Sequence, residues 1–194
     1  PVGSIDGRTM LWRAADVADM AIPDEVRQCD RWVRRDARKV PLRASGGAAS
    51  STDPATWSRF GDAVASDVGV GLGFVLEASD DIVCVDVDHC VVGGVLSDVA
   101  AELLELAGAT WVEVSPSGDG LHVWGRADLA RSFVTDVAEV YGSGRYITVT
   151  GRRFERAPLE LGDISAAVEW LSDRRVRDET KLAVGEAGGE RTRA

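Results

Sequence analysis

Ile82 to Cys90 reads IVCVDVDHC, an apolar run that ends in two aspartates with one valine between them. Side chains alternate faces along a strand, so Asp86, Asp88 and Cys84 share one face while Val85 and Val87 take the other. Twice the strand rise holds the two carboxylates about 7 Å apart, where like charges repel. A cation beside them removes that repulsion, and hard oxygen ligands suit Mg²⁺ or Mn²⁺. Taken alone, the stretch reads equally well as a strand running out into an acidic turn. The rest of the chain decides between the two.

The chain has 194 residues, 45% of them hydrophobic, which suits one domain or one compact two-lobed unit with a proper core. No apolar run approaches a membrane span and no secretory signal is present, so a cytoplasmic protein without membrane contact is expected. The three cysteines, Cys29, Cys84 and Cys90, are odd in number and form no C-x-x-C pair, as suits a reducing compartment. Cys84, His89 and Cys90 lack the spacing of a zinc site and have no evident fourth ligand, so zinc is not expected. A net charge of −10 argues against a surface uniformly suited to nucleic acid. Yet Arg27, Arg31, Arg34, Arg35, Arg38, Lys39 and Arg43 crowd one stretch, opposed only by Asp30 and Asp36. A charge run by itself reads as a solvated strand face. The functional alternative is a wall for a template strand or a triphosphate.

Residues 1–9 contain IDGR and read as the remnant of a cleavable linker, with Met10 a native start. The folded domain is expected over residues 10–173, and the charged, glycine-rich residues 174–194 read as a tail or linker. Pro23-Asp24-Glu25 opens a short helix. Arg31–Arg35 and Lys39–Leu42 are extended, the second because the residue before proline is held in the β region. Thr52-Asp53-Pro54 caps a helix predicted to run to Ser66, with Trp57, Phe60, Ala63 and Val64 on one face. Val68–Leu76 is a strand whose Gly69, Gly71 and Gly73 leave one face open to close approach. Ser97 caps a helix from Asp98 to Leu106, which Gly108 ends. Thr110–Val114 and Leu121–Gly125 are strands. Val137–Tyr141 and Tyr146–Thr150 are predicted to pair as a hairpin through Gly142-Ser143-Gly144. Asp163–Ser172 is a helix with Ile164, Val168 and Leu171 inward. Strands and helices alternate at first and strands then cluster, which favours a mixed-sheet α/β or α+β unit over a doubly wound parallel sheet.

Ser115 to His122 reads SPSGDGLH, two glycines flanking an aspartate between two strands. Such a turn can offer the backbone N–H groups of Gly118 and Gly120 to an anion, with the Ser115 and Ser117 hydroxyls as further donors. His122 enters the next strand, where an imidazole can donate to a phosphate oxygen. A tight turn followed by a core histidine is the plainer alternative. Glu139 sits in an apolar strand, EVY, where a carboxylate needs solvent or a partner. A third carboxylate beside Asp86 and Asp88 would complete a two-metal cage for phosphoryl or nucleotidyl transfer. Arg145 opens RYITVTG, and its guanidinium fork matches a triphosphate.

The order DVDH, SPSGDGLH, EVY and GRYITVTG resembles the archaeo-eukaryotic primase superfamily, nearest to the primase–polymerase (prim-pol) domains of phage and plasmid replication proteins. The likeness covers roughly Trp32 to Leu171, including the tryptophan strand, the Lys39–Pro41 element and STDPATW. It implies an α+β, mixed-sheet catalytic core with an RRM-like unit. It further implies Asp86, Asp88 and Glu139 as ligands of two Mg²⁺ or Mn²⁺ ions. His122, with Ser115, Ser117, Gly118 and Gly120, would face the phosphates of the incoming nucleotide. Arg145 and Lys39 would make further phosphate or template contacts. The implied substrates are nucleoside triphosphates and a single-stranded DNA template, and a fused or separate helicase is the implied partner. An end-joining repair polymerase, a two-metal nuclease and a non-catalytic origin-binding module are the competing readings. Tyr141 and Tyr146 are candidates to screen the sugar, although aromatic strand residues more often belong to a core.

Overall fold

A computed structural model describes residues 20–176. The predicted linker remnant (residues 1–9), the stretch before Met20 and residues 177–194 of the predicted 174–194 tail lie outside the described residues. The fold has three layers with a five-stranded sheet in the middle. Its order is β7 (Val112–Val114), β8 (Leu121–Arg126), β4 (Ile82–Val87), β10 (Glu139–Tyr141), β9 (Phe133–Val134). A four-stranded sheet covers one face, in the order β11 (Tyr146–Val149), β3 (Gly71–Val75), β1 (Trp32–Arg35), β2 (Pro41–Leu42). On the other face lie α3 (Asp98–Ala107) and a closing helix, α4, over residues 165–176. α1 (Asp24–Arg27) and α2 (Phe60–Ala65) flank the smaller sheet, and β5 (Val91–Val92) with β6 (Val95–Leu96) forms a separate two-stranded hairpin. Every ladder between these strands is antiparallel. The α+β class read from the sequence is the one observed.

The period-2 alternation of β4 feeds two cores. Val83, Val85 and Val87 pack with Val123, Val140, Leu103, Ile164, Val168 and Leu171 against the helices. Ile82 and Cys84 point the other way, into a core shared with the smaller sheet that holds Trp32, Phe74, Trp111 and Trp124. Trp111 stacks on Trp124 at 5.2 Å, and Phe74 meets Trp124 edge-on at 6.0 Å. Both arrangements are favoured by the ring quadrupole.

Two predicted elements differ from those formed. The helix expected from Thr52 to Ser66 is a 3₁₀ turn over Pro54–Thr56, capped by Asp53, followed after a break by α2. Trp57 is extended there (φ −89°, ψ 169°), its indole donates to the Ser50 carbonyl at 2.7 Å, and Ser58 exchanges backbone hydrogen bonds with Trp32. Completing the edge of β1 outweighs helix continuity. The second difference is larger. β10 and β11 do not form a hairpin: β10 pairs with β4 in the central sheet and β11 pairs with β3 in the covering sheet. Each strand finds a neighbour distant in sequence, and residues 142–145 cross from one sheet to the other. Gly144 (φ +69°) and Arg145 anchor that crossing through backbone bonds to Leu76.

Candidate active site

On the face of the central sheet that meets the smaller sheet, one step of two residues along each strand turns core into chemistry. Trp111 is followed by Glu113, Trp124 is preceded by His122, Cys84 is followed by Asp86, and Tyr141 is preceded by Glu139. The ladders align these groups. Glu113 is opposite His122, His122 opposite Asp86, and Asp86 opposite Glu139. Cross-strand neighbours on one face lie about 5 Å apart at Cβ, so the four form a continuous polar row over four strands.

The row borders a cavity of about 210 Å³ lined by Lys39, Asp86, Pro116, His122, Glu139, Tyr141, Arg145, Tyr146, Ile147 and Thr148. Lys39 sits in the β1–β2 turn at φ +62°, a left-handed conformation that is uncommon for a residue with a Cβ. The Asp36 carboxylate fixes this turn by accepting from the Arg38 and Val40 N–H groups, each at 2.8 Å. The Tyr146 hydroxyl donates to the Lys39 carbonyl. The Tyr146 ring packs against Gly73, which has no Cβ, and one built there would come within 2.3 Å of the ring. The close approach that the glycine spacing predicts is therefore made by Tyr146 and, at Gly71, by Arg35. On the opposite side the Tyr141 hydroxyl donates to Glu139, and the Arg145 guanidinium lies 4.8 Å from the Tyr141 ring centre. Burial, then the hydrogen bond to Glu139, push the Tyr141 phenol up to about 12.

Asp86 is the electrostatic centre. Its carboxylate is mostly buried, and Oδ1 has no hydrogen-bond partner. His122 Nε2 lies 3.6 Å from that oxygen, beyond hydrogen-bond length. Burial raises the Asp86 pKa, and the like charges of Asp88 and Glu139 add to it, against a partial offset from His122 and Lys39. Burial opposes charging of His122, but the hydrogen bond and charge of Glu113, with Asp86, outweigh it and the imidazole pKa is raised. An orphaned buried carboxylate oxygen among acidic neighbours fits a hard cation by donor chemistry and by charge. As the side chains lie, no three of His, Cys, Asp and Glu among the described residues stand together as a metal cage. The Glu139 carboxylate is engaged by Tyr141, and Asp88 lies one residue past the end of β4, exposed in the turn rather than lining the cavity.

The SPSGDGLH turn spends most of its expected anion donors on itself. Gly118 N–H donates to the Ser115 carbonyl at 3.1 Å, and the Ser115 and Ser117 hydroxyls bond each other at 2.8 Å. Gly120 is required by packing, since a Cβ there would meet Val87 O and Ser115 Oγ at 2.8 Å. Of residues 115–121, Pro116 is the one that lines the cavity. The turn leads into β8, where His122 stands opposite Asp86. His89, at φ +49°, faces solvent and pairs with Asp119 at 2.6 Å, pinning the end of the D-x-D segment to this turn. The arginine-rich stretch is largely committed to structure: Arg31 to Asp80 and Glu77, Arg34 to the Val68 and Ala63 carbonyls, Arg43 to the Ala48 carbonyl.

Glu113 escaped the sequence reading. The signal was present: a glutamate between two valines in an apolar strand is the same anomaly that marked Glu139.

No model of a known protein family matches the chain. Among curated proteins, it is 39% identical over 157 residues to a DNA primase-polymerase of Nitratiruptor phage NrS-1. The match supports a primase–polymerase (prim-pol) domain in this chain. That match takes in 74% of this chain and 22% of the phage protein, so the chain spans about a fifth of the relative's length. The prim-pol resemblance drawn from DVDH, SPSGDGLH and EVY thus agrees with similarity along most of the sequence.

Proposed function

We propose that this domain joins nucleoside triphosphates on a single-stranded DNA template, making and extending primers in phage or plasmid replication. The observation that carries the reading is the buried, unpartnered Oδ1 of Asp86 in a cavity bordered by Glu139, His122, Lys39 and Arg145. Asp86, Asp88 and Glu139 would hold Mg²⁺ or Mn²⁺. When bound, such ions lower the pKa of an attacking hydroxyl and neutralise charge on a leaving pyrophosphate. The protein's own groups align and discriminate. Lys39, Arg145 and the His122 ring supply positive charge for triphosphate oxygens, and a protonated His122 adds a charge-assisted hydrogen bond. Glu139 is oriented by the Tyr141 hydroxyl, and Tyr146 and Thr148 form the wall on the smaller-sheet side. A helicase, fused or separate, is the expected partner.

Labelled nucleotides on unprimed single-stranded, primed, and nicked or broken duplex templates, with and without Mn²⁺, test this reading. Cation-dependent synthesis on unprimed single strands is the expected result. Preference for a broken end would move the domain to end-joining repair. DNA binding with no incorporation on any template would make it a non-catalytic module.

A further inference from the structure

Glu113 is fully buried, and its carboxylate does not line the cavity. Oε2 accepts from Thr150 N at 2.9 Å and Gly151 N at 2.8 Å, with the Thr150 hydroxyl at 3.0 Å. Oε1 accepts from His122 Nδ1 at 2.9 Å. A buried ionised carboxylate adds little net stability compared with an apolar residue of similar size, because desolvation offsets the gain. Its partners point to another use. The backbone donors just past β11 fix one oxygen, and the other can then meet only one nitrogen of the His122 ring.

Resting on the reading above, we propose that Glu113 is the positioning residue of this site. It fixes the His122 ring through Nδ1–H and so leaves Nε2, next to Asp86, facing the cavity, where the Nε2–H of the charged ring donates to the nucleotide's phosphates. The hydrogen bond made by one ring nitrogen sets what the other can do. Nδ1 keeps its proton whether the ring is neutral or charged. Because Glu113 is also gripped at Thr150 and Gly151, it ties His122 on the central sheet to the end of the strand that carries Tyr146 and Thr148.

Glu113→Gln separates positioning from packing. The Thr150 and Gly151 N–H groups are fixed donors, so the amide oxygen must face them and the amide N–H₂ must face His122. Nδ1 then becomes an acceptor and the ring proton moves to Nε2. The chain has only two histidines, so ¹⁵N imidazole spectra of a His89→Ala background report His122 alone. A protected Nδ1–H is expected, replaced by Nε2–H when Glu113→Gln is added. An Nε2–H tautomer in the His89→Ala background itself would overturn the proposal, whatever the fate of the glutamine variant. In nucleotide incorporation, Glu113→Gln and His122→Ala should each raise the apparent KM roughly ten- to hundred-fold, with a smaller fall in kcat. The double variant should be no worse than His122→Ala, whereas additive losses would show Glu113 acting through the fold. Absence of all incorporation by the unsubstituted protein would refute the polymerase reading, and the spectra would still decide the role of Glu113.

Discussion

The two ends of the polar row are built on opposite terms. At the Glu113 end every oxygen is matched: two backbone N–H groups, a hydroxyl and an imidazole converge on one buried carboxylate. At the Asp86 end a buried oxygen has no partner, and Asp88 and Glu139 raise the carboxyl pKa further. Both carboxylates sit at the same level of the sheet, two strands apart. A satisfied buried charge serves the architecture. An unsatisfied one costs stability unless something outside the chain completes it. The contrast separates a carboxylate satisfied within the chain from one that is not.

Asp86→Asn breaks this comparison most severely. Nucleotide incorporation should fall by roughly 10²- to 10³-fold or more, the loss typical when a group stabilising transition-state charge is removed. Thermal stability without divalent cation should move the other way. A carboxyl whose folded pKa is raised contributes stability at low pH and loses it as pH rises through that value, so near neutrality the neutral amide is favoured. A gain of about 2–4 °C corresponds to about 1 kcal/mol in a domain of this size. Mn²⁺ should then raise the melting temperature of the unsubstituted protein and leave that of the variant in place. Calorimetry with and without Mn²⁺ checks both.

Gly73→Ala tests the wall facing the row. The added methyl must displace the Tyr146 ring, costing about 1–3 kcal/mol as overpacking does and loosening the bond to the Lys39 carbonyl. Denaturant unfolding and the nucleotide KM should both worsen. Chain assembly at the Asp86 end should survive.

The smallest effect belongs to His89. Asp119 raises its pKa, and Ser117 and His89 in turn lower that of Asp119. The pair's contribution from His89 is complete below the ordinary imidazole value of about 6.5 and fades as pH climbs through the raised one. The contribution from Asp119 fades as pH falls through its lowered value. A slight maximum in melting temperature between those limits, absent in His89→Ala, is expected from scans across pH.

Much of the site was legible because period-2 alternation puts Asp86 on a definite face and a glutamate in an apolar strand announces itself. The alignment of Asp86 with His122 and Glu139 depends on pairing between strands far apart in sequence, which no local pattern specifies. The same ignorance produced the false hairpin at residues 142–144, where a strong turn signal serves a change of sheet. The SPSGDG turn was less legible for a different reason: residue types declare donors, but only the folded turn reveals that Ser115, Ser117 and Gly118 use them on one another. Glu113 carried the signal that identified Glu139 and was overshadowed by the SPSGDGLH motif that begins two residues later.

The crossing at residues 142–145 has a further consequence for how this chain can vary. It delivers β11 with Tyr146 and Thr148 on one face and Ile147 and Val149 in the core on the other. Removing or adding a single residue there would exchange those faces along the whole strand. Substitutions in the crossing should therefore be tolerated far better than changes in its length, and an alignment that opens a gap at this point would be aligning two different sites.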